Sequence, residues 1–384
     1  MRRVPICLGR QRLLTAALLA AILLPGARAA TKNPEITARH GMVASAHALA
    51  SQAGVEILKA GGNAVDAAVA AAFAIGVTEP NASGIGGEGM MVIFLAKARK
   101  AIAIDYRSTA PASAAYPEGV PSIGHAAAAV PGTVAGLCLA LEKYGTMNLT
   151  QVLEPAIKLA AEGFAITTTL ASIILDNFEP LSKEESLAKI FCPDGLPLEA
   201  GDILKNPELA LSLRKIARSG RDVFYRGELA EKIEAEMQAR GGFITKEDLA
   251  IYRALEREPV RGTYRGYGII STPPPVGGLA VVLTLQILEY FELGRYAPLS
   301  PARIHLMAEA MKRAMVDWRA FVADPDFVKV PIAGLLARPY AEARAAEIDP
   351  ERISETSRRV TRPGARTLAR RLSLWLIRRA IWSP

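Results

Sequence analysis

Arg107 closes the apolar run AIAIDYR. A guanidinium at the end of a buried strand must find a carboxylate. Its planar fork holds one through two parallel hydrogen bonds. The partner is therefore either a ligand carboxylate or an Asp or Glu of the chain itself, and the residues alone leave both open. The glycine-rich stretch SGIGGEG, Ser83 to Gly89, has the look of a phosphate loop. A dinucleotide-binding turn needs a strand before it and a helix after it. Here a helical pattern precedes and a strand pattern follows, so these glycines are read as permitting close backbone approach. Four histidines, His40, His47, His125 and His305, show no metal-ligand spacing, and no metal or other cofactor is expected. No Ser-His-Asp or Cys-His pairing has a local signature. Three cysteines give neither a zinc pattern nor a disulfide framework. Cys7 lies in the leader, Cys138 reads as a small core residue and Cys192 sits in the turn FCPDG. A single Cys138–Cys192 bridge stays open.

The elements that must position Arg107 follow from periodicity. Residues 45–60 form one helix, ended by Gly61-Gly62. Asn63 caps a second, with Asp66 at its third position, and that helix is apolar nearly all round, as a buried helix is. Glu79-Pro80 ends it. MMVIFLA and AIAIDYR flank the basic turn AKARK and read as two strands buried on both faces. Helices are expected over 131–144, 150–162, 206–217, 227–240, 278–291 and 304–322. Thr167 and Thr245 have helix-start chemistry, and YRGYGIIS reads as one short strand before the rigid turn STPPPVGG. No internal repeat or low-complexity linker interrupts the chain. The pattern points to one α/β body.

The 384 residues carry 46 Lys and Arg against 38 Asp and Glu, a net of +8. The excess sits at the two ends: five Arg and no acid in residues 1–30, eight Arg and no acid in 358–384. Removing those thirteen leaves 33 basic and 38 acidic residues, a net of −5 for the body. A mildly acidic body does not suit a nucleic-acid backbone, and no nucleic-acid partner is expected. The opening runs from basic residues to the apolar Leu13–Leu24 and then to Ala27-Arg28-Ala29, the order of a cleaved export signal over 1–29. That apolar run is shorter than the ~20 residues a spanning helix needs. Periplasmic or secreted localisation follows as an expectation.

GMVASAHALASQAGVEILKAGGNAVDAAVAAAFAIGVTEPNASGIGGEG and AIDYRSTAP closely resemble the opening of γ-glutamyltranspeptidases. The resemblance continues through FCPDGLPLEAGDILKNPELA, GRDVFYRGELAEKI, GGFITKEDLAIY, YRGYGIISTPPPVGG and ADPDFVKVP, covering roughly residues 38 to 350. It implies an Ntn-hydrolase-type αββα sandwich, two sheets between helical layers. It further implies a precursor that cuts itself into a large and a small subunit. The small subunit then opens with a Thr nucleophile whose own α-amine is the base. The implied reaction moves the γ-glutamyl group of glutathione or related compounds to water or an amino acid. The resemblance assigns Arg107 to the α-carboxylate of that group. A related β-lactam side-chain acylase, and a non-catalytic binding protein for γ-glutamyl or other amino-acid ligands, are the alternatives.

Three departures stand out. The family often has Glu after this Arg, where this chain has Ser108, which bears on how the substrate's α-amine is recognised. PPPVGG carries Val276 where PPPSSGG is commoner. The Thr-Thr-His triplet that opens the small subunit does not occur, and Thr361 and Thr367 lack its context. The expectation is a γ-glutamyltranspeptidase large-subunit-like region over 30–357, without the small-subunit half, without a catalytic nucleophile and inactive alone. The Arg-rich segment 358–384 reads either as out-of-frame or truncated sequence or as a basic amphipathic segment for anionic membrane surfaces, with Trp375 and Trp382 at the interface. A small subunit is the expected partner. Whether a separate chain supplies it or a frameshift removed it stays open.

Overall fold

The computed structural model describes residues 36–354, apart from 116–118 and 120. The leader expected over 1–29 and the Arg-rich segment 358–384 lie outside the described residues. Packing divides the chain between Met42 and Val43. Residues 36–42 carry no helix or strand, and all elements below belong to the second unit.

Two helices open that unit, α1 (Ala48–Lys59) and α2 (Ala64–Thr78). The His47 imidazole caps α1 by accepting from Leu49 N–H. Asn63 and Asp66 form the expected capping box on α2. The buried Asp66 carboxylate also accepts the Thr146 amide and hydroxyl and the Met147 amide. It thereby ties the start of α2 to the turn that follows the helix Thr133–Tyr144. Burial raises this carboxyl's pKa, but those hydrogen bonds outweigh it and hold the group below the usual aspartate range.

Strands β1 (Gly89–Leu95) and β2 (Lys100–Tyr106) form an antiparallel hairpin, in register from Gly89 opposite Tyr106 to Leu95 opposite Lys100. Of the two, β2 is buried on both faces from Ala101 to Tyr106. On β1 the expectation fails: Val92 and Phe94 are exposed. An apolar run says that a surface avoids water, not which element covers it, and among the described residues β1 is a sheet edge.

Helix α3 (Thr133–Tyr144) packs beside this hairpin and α2, and α4 (Leu149–Glu162) packs against α2. A two-residue strand, β3 (Phe164–Ala165), leads to α5 (Thr168–Asp176), which Thr167 caps as expected. Short helices α6 (Phe178–Lys183) and α7 (Glu185–Phe191) come next, then β4 (Ile203–Leu204), which pairs with β3. Helices α8 (Pro207–Ser219), α9 (Asp222–Tyr225), α10 (Glu228–Arg240) and α11 (Lys246–Ile251) complete the larger hydrophobic core. Strand β5 (Leu255–Arg257) adds to β2, giving the order β1-β2-β5.

A second core begins at β6 (Val260–Tyr264) and β7 (Tyr267–Ser271). The single strand expected in YRGYGIIS is in fact the second half of this hairpin. Its two-residue turn places Arg265 at φ 49° and Gly266 at φ 83°. Such a turn usually starts with Asn or Asp, and Arg at that place hides it from a sequence pattern. Helices α12 (Gly278–Leu288), α13 (Pro301–Phe321), α14 (Ile332–Leu335) and α15 (Arg338–Ala346) enclose Leu279, Leu283, Ile287, Leu306 and Tyr340.

Inside this core a charge network replaces part of the apolar filling. Asp317 and Arg344 are fully buried and joined by two hydrogen bonds of 2.6 and 2.8 Å. Arg344 also reaches both oxygens of Glu347. Arg313 joins Glu309 at 2.6 Å, and Glu309 with Lys312 holds Ser354. Buried charges persist only when paired in this way. The possible bridge is absent: Cys138 and Cys192 are both free and buried. Burial, with the charge of Glu142 beside it, pushes the Cys138 thiol up to about 12, so it is an inert core residue.

Candidate active site

Strand β2, buried from Ala101 to Tyr106, delivers Arg107 at its end, and four contacts fix the backbone there. Asp105 Oδ1 accepts the Arg107 amide at 3.1 Å. The other Asp105 oxygen holds Arg257 Nε at 2.7 Å, and Arg257 in turn grips Asp326 through two bonds of 2.8 and 2.9 Å. Tyr252 donates to the Arg107 carbonyl at 2.8 Å. Two residues on, Thr109 and Val130 exchange backbone hydrogen bonds, so the chain leaving Arg107 is pinned against the segment that enters α3.

The base of the site is made by close approach. A Cβ on Gly132 would lie 2.0 Å from the Tyr106 carbonyl oxygen and 2.2 Å from the Tyr252 hydroxyl. One on Gly136 would enter the Tyr106 ring. Only glycine lets α3 lie this close beneath β2. Tyr252 stacks on Tyr225 at 5.6 Å, and Tyr225 is bonded to the Pro131 carbonyl and the Ala135 amide. The loop SGIGGEG docks on the same helix start, where the Gly87 carbonyl accepts the Gly132 and Thr133 amides. It follows α2 and precedes β1, so it is no dinucleotide turn. A Cβ on Gly76 would sit 3.0 Å from Gly84 Cα, the close approach these glycines were expected to allow.

That docking carries Glu88 to Arg107. Glu88 Oε2 accepts the Ser108 amide at 2.7 Å and the Ser108 hydroxyl at 2.6 Å. The same oxygen is 4.0 Å from Arg107 Nε. Among the described residues the guanidinium has no other ionic or hydrogen-bonding partner, and its side chain is 37% exposed. Burial raises the Glu88 carboxyl's pKa, but the two Ser108 hydrogen bonds and the Arg107 charge outweigh it and keep the group below the usual glutamate range. The site therefore presents an ionised carboxylate beside an open guanidinium. Glu88 and Tyr252 escaped the sequence reading. The one available signal was that Glu88 is the only charged residue in a loop otherwise built of Gly, Ser and Ile.

A wide groove of about 860 Å³ lies elsewhere, lined by Ile123, Leu170, Ile174, Leu187, Phe191 and Met237 among others, and Arg107 does not line it. Among the described residues no three His, Cys, Asp or Glu side chains gather as a metal cluster. No described helix is long and apolar enough to cross a membrane.

Comparison with known proteins decides the lineage. Residues 50–370 match the family model for gamma-glutamyltranspeptidase. The chain belongs to the γ-glutamyltranspeptidase family. It is 46% identical over 341 residues to the glutathione hydrolase proenzyme of Escherichia coli, covering 86% of this chain and 58% of that one. It is 44% identical over 337 residues to the acylase ACY 1 proenzyme of a Pseudomonas strain, covering 83% and 60%. The crystal structure of Helicobacter pylori gamma-glutamyltranspeptidase superposes with a TM-score of 0.80 at 39% identity, over 84% of this chain and 95% of that one. The fold is thus the α/β, Ntn-hydrolase type that the motifs implied. The chain spans about three-fifths of the length of these two curated relatives. The family match runs on to residue 370, past the compositional change at 358.

Proposed function

We propose that this chain is the large-subunit portion of a γ-glutamyltransferase or glutathione hydrolase, and that Arg107 holds the α-carboxylate of the γ-glutamyl donor. One observation carries the reading. The Arg107 fork stands open at a strand end whose backbone is fixed on several sides, with its single ionic neighbour among the described residues 4.0 Å away and already bonded to Ser108. A guanidinium that served only an internal ion pair would close on its partner at hydrogen-bond distance, as Arg257 does on Asp105. Binding the donor by its α-carboxylate fixes where the γ-carbonyl lies, which is the positioning an acyl transfer needs. In this proposal the nucleophile, a Thr with its own α-amine as base, comes from outside these 384 residues. It takes the γ-glutamyl group as an acyl-enzyme and passes it to water or an amino acid.

The portion of the relatives that this chain does not span is the proposed partner. It would cover the apolar edge strand β1, with Val92 and Phe94, and the stripe Ile304, Met307, Met311 and Met315. These four repeat on one face of α13, opposite the buried Glu309, Arg313 and Asp317. A stripe of this kind on a soluble chain marks an interface. Export to the periplasm or medium is part of the same proposal. The acylase reading keeps the fold and exchanges the donor, and the ACY 1 relative favours it as the second possibility.

The test joins this chain to the C-terminal portion of the E. coli relative and follows release of the chromophore from a γ-glutamyl anilide. The fusion should turn the anilide over and the 384-residue chain alone should not. Turnover by the chain alone, or an active fusion indifferent to Arg107→Ala, contradicts the proposal.

A further inference from the structure

The departure at Ser108 has a structural counterpart. Directly after the arginine this chain has a hydroxyl, and that hydroxyl is bonded to a carboxylate brought in from another loop. Glu88 Oε2 is occupied by the Ser108 amide and hydroxyl. Glu88 Oε1 has no hydrogen-bond partner among the described residues, and the side chain is 43% exposed. Beside it Arg107 offers its remaining guanidinium N–H groups. A carboxylate with one open oxygen and an open cationic donor fork therefore stand side by side, the occupied Oε2 lying 4.0 Å from Arg107 Nε.

An α-amino acid head group has the complementary arrangement, with a carboxylate and an ammonium on one carbon. We infer that Glu88 is a specificity-determining residue, accepting a hydrogen bond from the α-ammonium of the donor while Arg107 holds its α-carboxylate. The inference rests on the Arg107 assignment above and adds a second recognition element to it. Ser108 is the positioning residue: its two hydrogen bonds fix one oxygen of Glu88 and leave the other without a hydrogen bond among the described residues. The same carboxylate works against a donor that lacks the ammonium. A plain carboxylate on Arg107 would then face the Glu88 charge with nothing between, so the pair selects amino-acid donors both by attraction and by repulsion of the des-amino acid. Glu88 stays charged because the Ser108 bonds and the Arg107 charge outweigh the effect of burial, so this selection persists through the neutral range.

L-Glutamine and glutaramate differ only by the α-ammonium, and their binding to the purified 384-residue chain by titration calorimetry isolates it. The wild-type chain should prefer L-glutamine. Glu88→Gln keeps an acceptor for the Ser108 amide, removes the charge and turns the open oxygen into an NH2 donor. It should weaken L-glutamine roughly tenfold, the scale of one charge-assisted hydrogen bond, and leave glutaramate unchanged or tighter. Ser108→Ala keeps the charge and should cost much less. Thermal melts of both variants at the wild-type temperature establish that the fold is intact. Arg107→Ala should abolish both ligands. If it does, but Glu88→Gln weakens both equally or neither, Glu88 merely supports the arginine and the inference falls while the Arg107 assignment stands. If Arg107→Ala leaves binding intact, or the wild-type chain binds no L-glutamine, the Arg107 assignment falls and this inference with it.

Discussion

Tyr252 donates its hydroxyl hydrogen to the backbone carbonyl of Arg107 at 2.8 Å, across 145 positions of sequence. The bond fixes the strand end from the side of α11, while Asp105 fixes it from within β2. The donor is held in turn by its stack on Tyr225. Tyr252→Phe removes the hydroxyl and keeps the stack. The expected loss is about 1 kcal/mol of stability, as for one buried hydrogen bond. The anilide turnover of the fusion should show a raised KM as Arg107 loosens. Denaturant unfolding and steady-state kinetics check the two parts separately.

Gly132→Ala is the sharper structural test. The new methyl would overlap a backbone oxygen and the Tyr252 hydroxyl at about 2 Å, and neither moves without displacing Arg107. Overpacking at such a point should cost about 3 kcal/mol or more, visible as a large fall in melting temperature. A variant that melts like wild type contradicts the close approach of α3 to β2.

Asp317→Asn leaves Arg344 buried without its main counter-charge. Breaking a buried pair from one side costs roughly 3–5 kcal/mol, so the urea midpoint should drop sharply. Exposed Asp324, whose carboxylate accepts only the Asp326 amide among the described residues, provides the contrast: Asp324→Asn removes no buried charge pair and should move the midpoint little.

Glu309 supplies the pH dependence. Burial raises its pKa, but Lys312, Ser354 and Arg313 outweigh this and bring the carboxyl down to about 2 from an unfolded value of 4.5. The folded value lies below the unfolded one. The contribution is therefore complete above pH 4.5 and is lost as the pH falls toward 2. Melting temperatures of wild type and Glu309→Gln should converge over that interval and stay apart above it.

What the sequence made legible was local. The capping boxes at Asn63/Asp66 and Thr245/Asp248 need four consecutive residues, and both form as expected. Thr167 caps its helix for the same reason. Arg107 could be singled out because a charge at the end of an apolar strand is anomalous in one dimension. Its surroundings could not: Glu88 and Ser108 are 20 positions apart and Tyr252 is 145 from Arg107, and nothing in their spacing announces that they meet. The β6–β7 turn was hidden by Arg265. Val92 and Phe94 are apolar, yet this chain leaves both exposed, because composition says that a surface avoids water and not which element covers it.

The most direct measurement is an amide- and guanidinium-detected NMR titration of the 384-residue chain with L-glutamate. The Arg107 Nε–H and Ser108 amide resonances should shift together and saturate, while resonances of the distant Asp317–Arg344 core stay still. Saturable shifts elsewhere in the chain with Arg107 Nε–H unmoved would contradict the account.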